Sequence, residues 1–241
     1  MTKYPRIWIA GHGGPVAVAQ NPDTPPEILW LLSTDPDSWV RRLVIGNPNV
    51  TPEILVGLAD DNSHWVRASL AGYTRTPAAV LEKLGDDSVS QVLVELAANL
   101  NTPPKTLKKL ARLINSRAGK SIKRTVAMNP STPSGVLAEL ADDAYELFAQ
   151  KVALNPSATV PILRKLANHI NVIVRGNVAK HPKTPPDVLR KLSHSGFPDI
   201  LWPVMANPKT PVDVLRELAE DRDPDVAERA VEVLDDRGEL L

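Results

Sequence analysis

The side chains able to do chemistry are few and widely spaced. Five histidines, His12, His64, His169, His181 and His194, could act as general bases or zinc ligands. No two of them are four residues apart, as paired ligands on one helical face would be, and HExxH does not occur. Aspartates recur at one phase of the chain, Asp35, Asp61, Asp87, Asp143 and Asp221, and cations at another, Arg41, Arg67, Lys123 and Arg175. Carboxylates in such a row could hold a cation or move protons. Facing a row of opposite charge, they read instead as ion pairs between a turn and a helix, each contributing about 0–1 kcal/mol if exposed. The absence of cysteine removes disulfides, thiolate metal sites, iron–sulfur clusters and a cysteine nucleophile together. AGKS, Ala118 to Ser121, is not a phosphate loop, because Ile114 stands where the first glycine is required and no strand precedes it. AGHGGP near the start lacks the strand and spacing of a nucleotide loop as well. These residues lead us to expect no enzyme, no metal and no cofactor.

Residues suited to recognition are more concentrated. No acid interrupts the stretch between Glu95 and Glu139, whereas Lys105, Lys108, Lys109, Arg112, Arg117, Lys120, Lys123 and Arg124 crowd it. Such a patch could take phosphate, nucleic acid or an acidic protein face; a solvated basic face is the plainer reading. Trp39 and Trp65 share a phase, with Arg42 and Arg67 beside them. Trp30 and Leu31 stand where later segments carry lysine or arginine, so with Val56 they would form an exposed apolar patch fit for a partner or for self-association. Packing beneath the N-terminal segment, whose Trp8 and Ile9 need cover, would account for the same aromatics. Trp202 is expected to pack beside Pro203 on a kinked helix.

The elements that position these residues are written into one repeated phrase. Anchors at Asn21, Asn47, Tyr73, Asn99, Asn129, Asn155, His181 and Asn207 follow one another every 26 residues, with a single step of 30 between Asn99 and Asn129. Leucine occupies the eighth and eleventh places after every anchor, from Leu29 and Leu32 to Leu215 and Leu218. That spacing sets both leucines on one face of a helix. Thr24, Thr76, Thr102, Thr132, Thr184 and Thr210 each precede a proline, which predicts a hydroxyl N-cap followed by a residue with no N–H to leave unpaired. Glu27, Asp187 and Asp213 three residues on would complete a capping box. A second helix, seen in SWVRRLVIGN and NVIVRGNVAKH, places apolar residues nineteen and twenty-three after the anchor and ends where Asn-Pro arrives. The anchor asparagines are expected to satisfy backbone groups of the turn. Neither short helix can bury its stripe alone, so neighbouring units must stack.

The units NPNVTPEILVGLADDNSHWVRASLAG and NPDTPPEILWLLSTDPDSWVRRLVIG resemble the variant leucine-rich repeat, a helical relative of HEAT-type solenoids. The resemblance covers about residues 15 to 232 and implies an all-α solenoid, a right-handed superhelix of eight two-helix repeats, that serves as a scaffold. We therefore expect an N-terminal cap with a partial repeat over 1–20, eight repeats over 21–232 with an insertion near 113–121, and a C-terminal cap over 233–241. Twenty-eight basic residues balance twenty-eight acidic ones, so no global field recruits nucleic acid or anionic membrane. No segment approaches the roughly 18 apolar residues of a membrane span. The expected function is protein–protein interaction through an extended surface, in a cytoplasmic monomer or weak homo-oligomer, with Trp30, Trp39, Trp65, Arg42 and Arg67 as contact residues. The alternative is nucleic-acid binding through the basic central repeats, in the manner of HEAT-like DNA-repair proteins.

Overall fold

The computed structural model describes residues 11–113 and 117–239. Trp8 and Ile9 in the N-terminal cap, 114–116 in the insertion, and 240–241 in the C-terminal cap lie outside the described residues. Among the described residues there are seventeen α-helices, one short 3₁₀ helix and no strand. The chain divides into two compact units, 1–131 and 132–241.

In the first unit, the helix Gly14–Gln20 precedes four pairs. The first helices are Pro26–Leu32, Pro52–Gly57, Ala78–Leu84 and Pro104–Ala111; the second helices are Ser38–Gly46, His64–Gly72, Ser90–Ala98 and Arg117–Met128. The second unit pairs Ser134–Ala141, Val160–Leu166, Pro186–Ser193 and Val212–Leu218 with Glu146–Leu154, Val172–Lys180, Pro198–Ala206 and Pro224–Asp236. Within each unit every second helix packs on the next second helix. All sixteen repeat leucines are at most 4% exposed. The apolar pairs of the second helices, such as Val66 with Leu70 and Phe148 with Val152, are fully buried against them. The repeat stripes therefore form the core, and the protein is an α-solenoid of two-helix units.

The threonines before proline do not cap the first helices. Thr24, Thr76 and Thr102 donate their hydroxyls at 2.6 Å to the carbonyls of Val18, Leu70 and Leu96, and Thr184 and Thr210 donate at 2.5 Å to those of Val178 and Val204. The cap position falls one residue later, on Pro25, Pro77, Pro103, Pro185 and Pro211. A second helix ends with buried carbonyls that lack intrahelical donors, and a hydroxyl six residues on can reach them. Asp187 and Asp213 are no capping-box residues either, since they pair with Arg164 and Arg190 of the preceding repeat. Side-chain caps occur on second helices instead: Asp37 accepts from Trp39 N at 2.8 Å, and Asn171 accepts from Ile173 N at 2.8 Å.

The anchor asparagines serve two repeats at once. Asn47 Oδ1 accepts from Asn49 N at 2.9 Å, which holds its own turn. Its Nδ2 donates to the carbonyls of Ala19 and Asn21, both at 2.9 Å, in the segment before. Asn99 repeats this toward Ala71 and Tyr73, Asn129 toward Ala97 and Asn99, and Asn207 toward Ala179 and His181. At the one histidine anchor, His181 Nε2 contacts the Asn155 carbonyl at 3.0 Å while Nδ1 accepts from Lys183 N, which selects the neutral Nε2–H tautomer. Burial, outweighing the pull of the Asn155 carbonyl, lowers the basicity of this ring.

Candidate functional site

Two members of each row at the turns, Arg41 with Asp61 and Arg67 with Asp87, form buried links between repeats. Arg41 Nε and Nη2 grip Asp61 of the next repeat at 2.6 and 2.8 Å, and Nη1 donates to the carbonyl of Asp35 at 2.7 Å. Arg67 grips Asp87 in the same way, with Nη1 on the carbonyl of Asp61. The side chains of Asp61 and Asp87 are only 6% and 5% exposed, so these pairs are not the solvated surface pairs their sequence suggests. Burial pushes the Asp87 carboxyl up, but the Arg67 hydrogen bond and the Val89 N–H outweigh it and hold the group below the usual carboxylate range. Arg67 thus sits in the framework with its guanidinium committed to internal partners. A second, exposed ladder joins first helices: Lys83 to Asp60 at 2.5 Å, Lys109 to Asp86, Lys165 to Asp142, and Arg190 to Asp213 at 2.6 Å.

Trp39 and Trp65 open two second helices that pack on each other, Ser38–Gly46 and His64–Gly72, and their side chains are about half exposed. The helix period places Arg42 one turn after Trp39, and its guanidinium stands 5.0 Å from the indole centroid. Arg42 Nε also donates to Ser69 Oγ at 3.0 Å, across to the next helix. Beside this contact an open groove runs over three second helices, lined by Arg42, Trp65, Ser69, Tyr73, Gln91 and Glu95. Gly72 leaves room for the Glu95 side chain there, since a Cβ at that position would lie 3.3 Å from Glu95 Oε2. The groove offers an aromatic face, a cation and a carboxylate within one depression. It has no buried nucleophile and base, and among the described residues no three metal-binding side chains converge.

The sequence does not single out Ser69, Tyr73, Gln91 or Glu95. A signal was present: Gln91 shares the phase of Trp39 and Trp65, Glu95 shares that of Ser69, and Tyr73 replaces the anchor asparagine. Trp30 lies on the first helix Pro26–Leu32, and Val56 on the first helix Pro52–Gly57, each 54% exposed, while Leu31 is half-buried. Neither Trp30 nor Val56 lines the groove. Trp202 is partly exposed on Pro198–Ala206, the helix that contains Pro203, and lines a small depression with Lys180 and Asp199.

The basic residues of the middle are divided between two helices. Lys105, Lys108 and Lys109 belong to Pro104–Ala111, and Arg117, Lys120, Lys123 and Arg124 to Arg117–Met128, with Arg112 between them. Lys109 is paired with Asp86, and Lys123 is buried at the phase of the framework arginines. Arg112 and Lys120 also have partners within the protein. Lys105, Lys108, Arg117 and Arg124 are exposed.

The family model described as leucine rich repeat variant matches residues 16–37. No curated protein matches the chain. A solved structure described as a leucine-rich repeat variant with a novel repetitive protein structural motif superposes with a TM-score of 0.63 at 22% identity, covering 87% of this chain and 82% of that one. The match to a computationally designed armadillo repeat protein for modular peptide recognition covers 92% of this chain and 97% of that one at 14% identity, with a TM-score of 0.21. Stacked two-helix units with leucines at fixed places define the class as an α-solenoid. Within that class residues 16–37 match the leucine rich repeat variant model, and the fold is similar to that of the solved variant, the resemblance its eight units led us to expect. Among the described residues no helix is long and apolar enough to cross a membrane.

Proposed function

We propose that the chain is a non-catalytic scaffold that holds a protein partner on the second-helix surface of its first three repeats, through Trp39, Trp65 and Arg42. The observation that carries this reading is the pair of half-exposed indoles at the same phase, bordered by a groove with a cation and a carboxylate. Aromatic and arginine side chains at the rim of a depression are the residue types that dominate protein-binding hot spots. A partner would lay an apolar side chain against Trp65 and present hydrogen-bonding groups to Arg42 and Glu95. Asp61 and Asp87, two of the row aspartates that a catalytic reading would need, are occupied by framework arginines.

The test compares the parent with the W39A/W65A double variant in capture from native lysate after nuclease treatment. Both indoles project from helix surfaces, so the variant should keep its helical circular dichroism. Proteins retained by the parent and lost by the variant support the scaffold. Retention that disappears with nuclease, or that the variant keeps in full, rejects this surface.

A further inference from the structure

The second unit contains one arginine whose acid is absent from the framework. In repeats one and two, the outer Nε–Nη2 edge of the arginine faces a carboxylate of the following repeat, while Nη1 is tethered to two carbonyls of its own turn. Arg175 keeps the tether: Nη1 donates to the carbonyls of His169 at 2.6 Å and Ile170 at 2.9 Å. The guanidinium is therefore held by the same atoms as Arg41 and Arg67. At the phase of Asp61 and Asp87, however, the following repeat carries Ser195.

Ser195 does not replace the acid. Its Oγ is buried with no hydrogen-bond partner. Asp61, Asp87 and His169 each accept a bond from the backbone N–H two residues on, and no such bond joins Phe197 N to Ser195. Gly196 then takes a left-handed conformation, φ 68, which no non-glycine residue described adopts. The turn brings the Phe197 ring to 5.5 Å from the Arg175 guanidinium carbon. Phe197 is 47% exposed and the side chain of Ile170, whose carbonyl anchors Arg175, is 85% exposed. Of the acids on adjoining elements, Glu146 is bonded to Asn171 Nδ2 at 2.8 Å and Asp199 brings its backbone carbonyl against Gly176, and neither carboxylate is hydrogen-bonded to Arg175.

We propose that Arg175 is a recognition site for an aspartate or glutamate side chain of a protein segment that also carries an apolar residue, seated against Phe197 and Ile170. An arginine edge that elsewhere in this fold clasps a carboxylate has the planar fork that a carboxylate fits in two parallel bonds. The aromatic face beneath the cation and the exposed isoleucine beside it favour an apolar neighbour to that acid. One guanidinium with apolar flanks suits a single negative charge better than a phosphate, which would call for further cations. The site lies wholly in the second unit and is independent of the tryptophan surface.

The experiment selects a phage-displayed library of random dodecapeptides on the full chain and measures the recovered peptides, fluorescently labelled, by anisotropy. Two variants report on the site: R175Q removes the fork, and S195D supplies a carboxylate from within the chain to compete for it. Circular dichroism melts establish that each variant is folded, and S195D, which gives the arginine an acid, guards against a loss caused by unfolding of R175Q. We expect peptides sharing an Asp or Glu next to an aromatic or aliphatic residue, bound about tenfold or more weakly by R175Q and by S195D, and within about twofold by W39A/W65A. Peptides without a shared acid, or acidic peptides that either R175Q or S195D binds as the parent does, would overturn the proposal. Acidic peptides lost only in W39A/W65A would overturn it too while leaving the scaffold surface in place.

Discussion

Repeats one to three differ from repeats six and seven in how one repeat is tied to the next. In the former, Arg41–Asp61 and Arg67–Asp87 close every link with a buried bidentate pair. In the latter, Arg175 stands over Phe197, Ser195 occupies the phase of the acid, and His181 stands where other repeats place asparagine. Both regions bury the leucines of their repeats to the same extent, so the apolar core does not account for the difference. What it shows is that stacking is secured mainly by leucine burial, while the polar links are free to be exchanged for surface chemistry. A solenoid tolerates this because each repeat touches mainly its neighbours, and a change at one link stays local.

The largest effect should come from breaking a closed link. D61A leaves the Arg41 guanidinium buried without its acid and should cost about 3–5 kcal/mol in urea unfolding. A loss below about 1 kcal/mol would place that pair with the exposed ladder and erase the contrast between the two regions.

An intermediate effect is expected at the altered anchor, and it depends on pH. Burial lowers the pKa of folded His181 below its ordinary value of 6.5. As pH falls, the unfolded chain therefore takes up the proton first, and stability is lost from about pH 6.5 down to the folded pKa, while above 6.5 the full stability is present. H181N, which restores the hydrogen bonds seen at Asn207, should remove this loss, up to about 1.4 kcal/mol per pH unit, as measured by denaturation at pH 7.5 and pH 5. Parallel curves for the parent and the variant would show that the ring is protonated in place at no cost.

The smallest effect is expected on the exposed ladder. D213A removes the partner of Arg190 at a site open to solvent, where an ion pair adds little, and should leave the urea unfolding midpoint close to that of the parent. A loss comparable to that of D61A would mean that first helices are joined as firmly by charge as second-helix turns are.

Much of the scaffold was legible in the residues themselves. The fixed leucine pair and the second apolar pair predict two helices per unit, and both are found buried in every repeat. The threonines were misread because a Thr-Pro pair looks like a cap and first turn, whereas the orphan carbonyls that the hydroxyl satisfies belong to the preceding helix. The candidate surface was legible only in part. Trp39, Trp65 and Arg42 follow from phase, and both indoles are exposed, but Glu95 and Tyr73 join them only through the stacking of three second helices. Arg175 reads as one more member of a charged row, and its missing acid is visible only when position 195 is known to face it.

The sequence by itself determined the repeat, its period, its two helices and its apolar core, because helical periodicity and Pro and Asn at turns act over a few residues. The tertiary structure alone decided which repeat each polar side chain serves. Arg41 and Asp61 are 20 residues apart, and Asn47 reaches Ala19 across 28. Such distances carry no local signal, and only stacking, which turns an offset of one repeat into contact, makes partners of these groups.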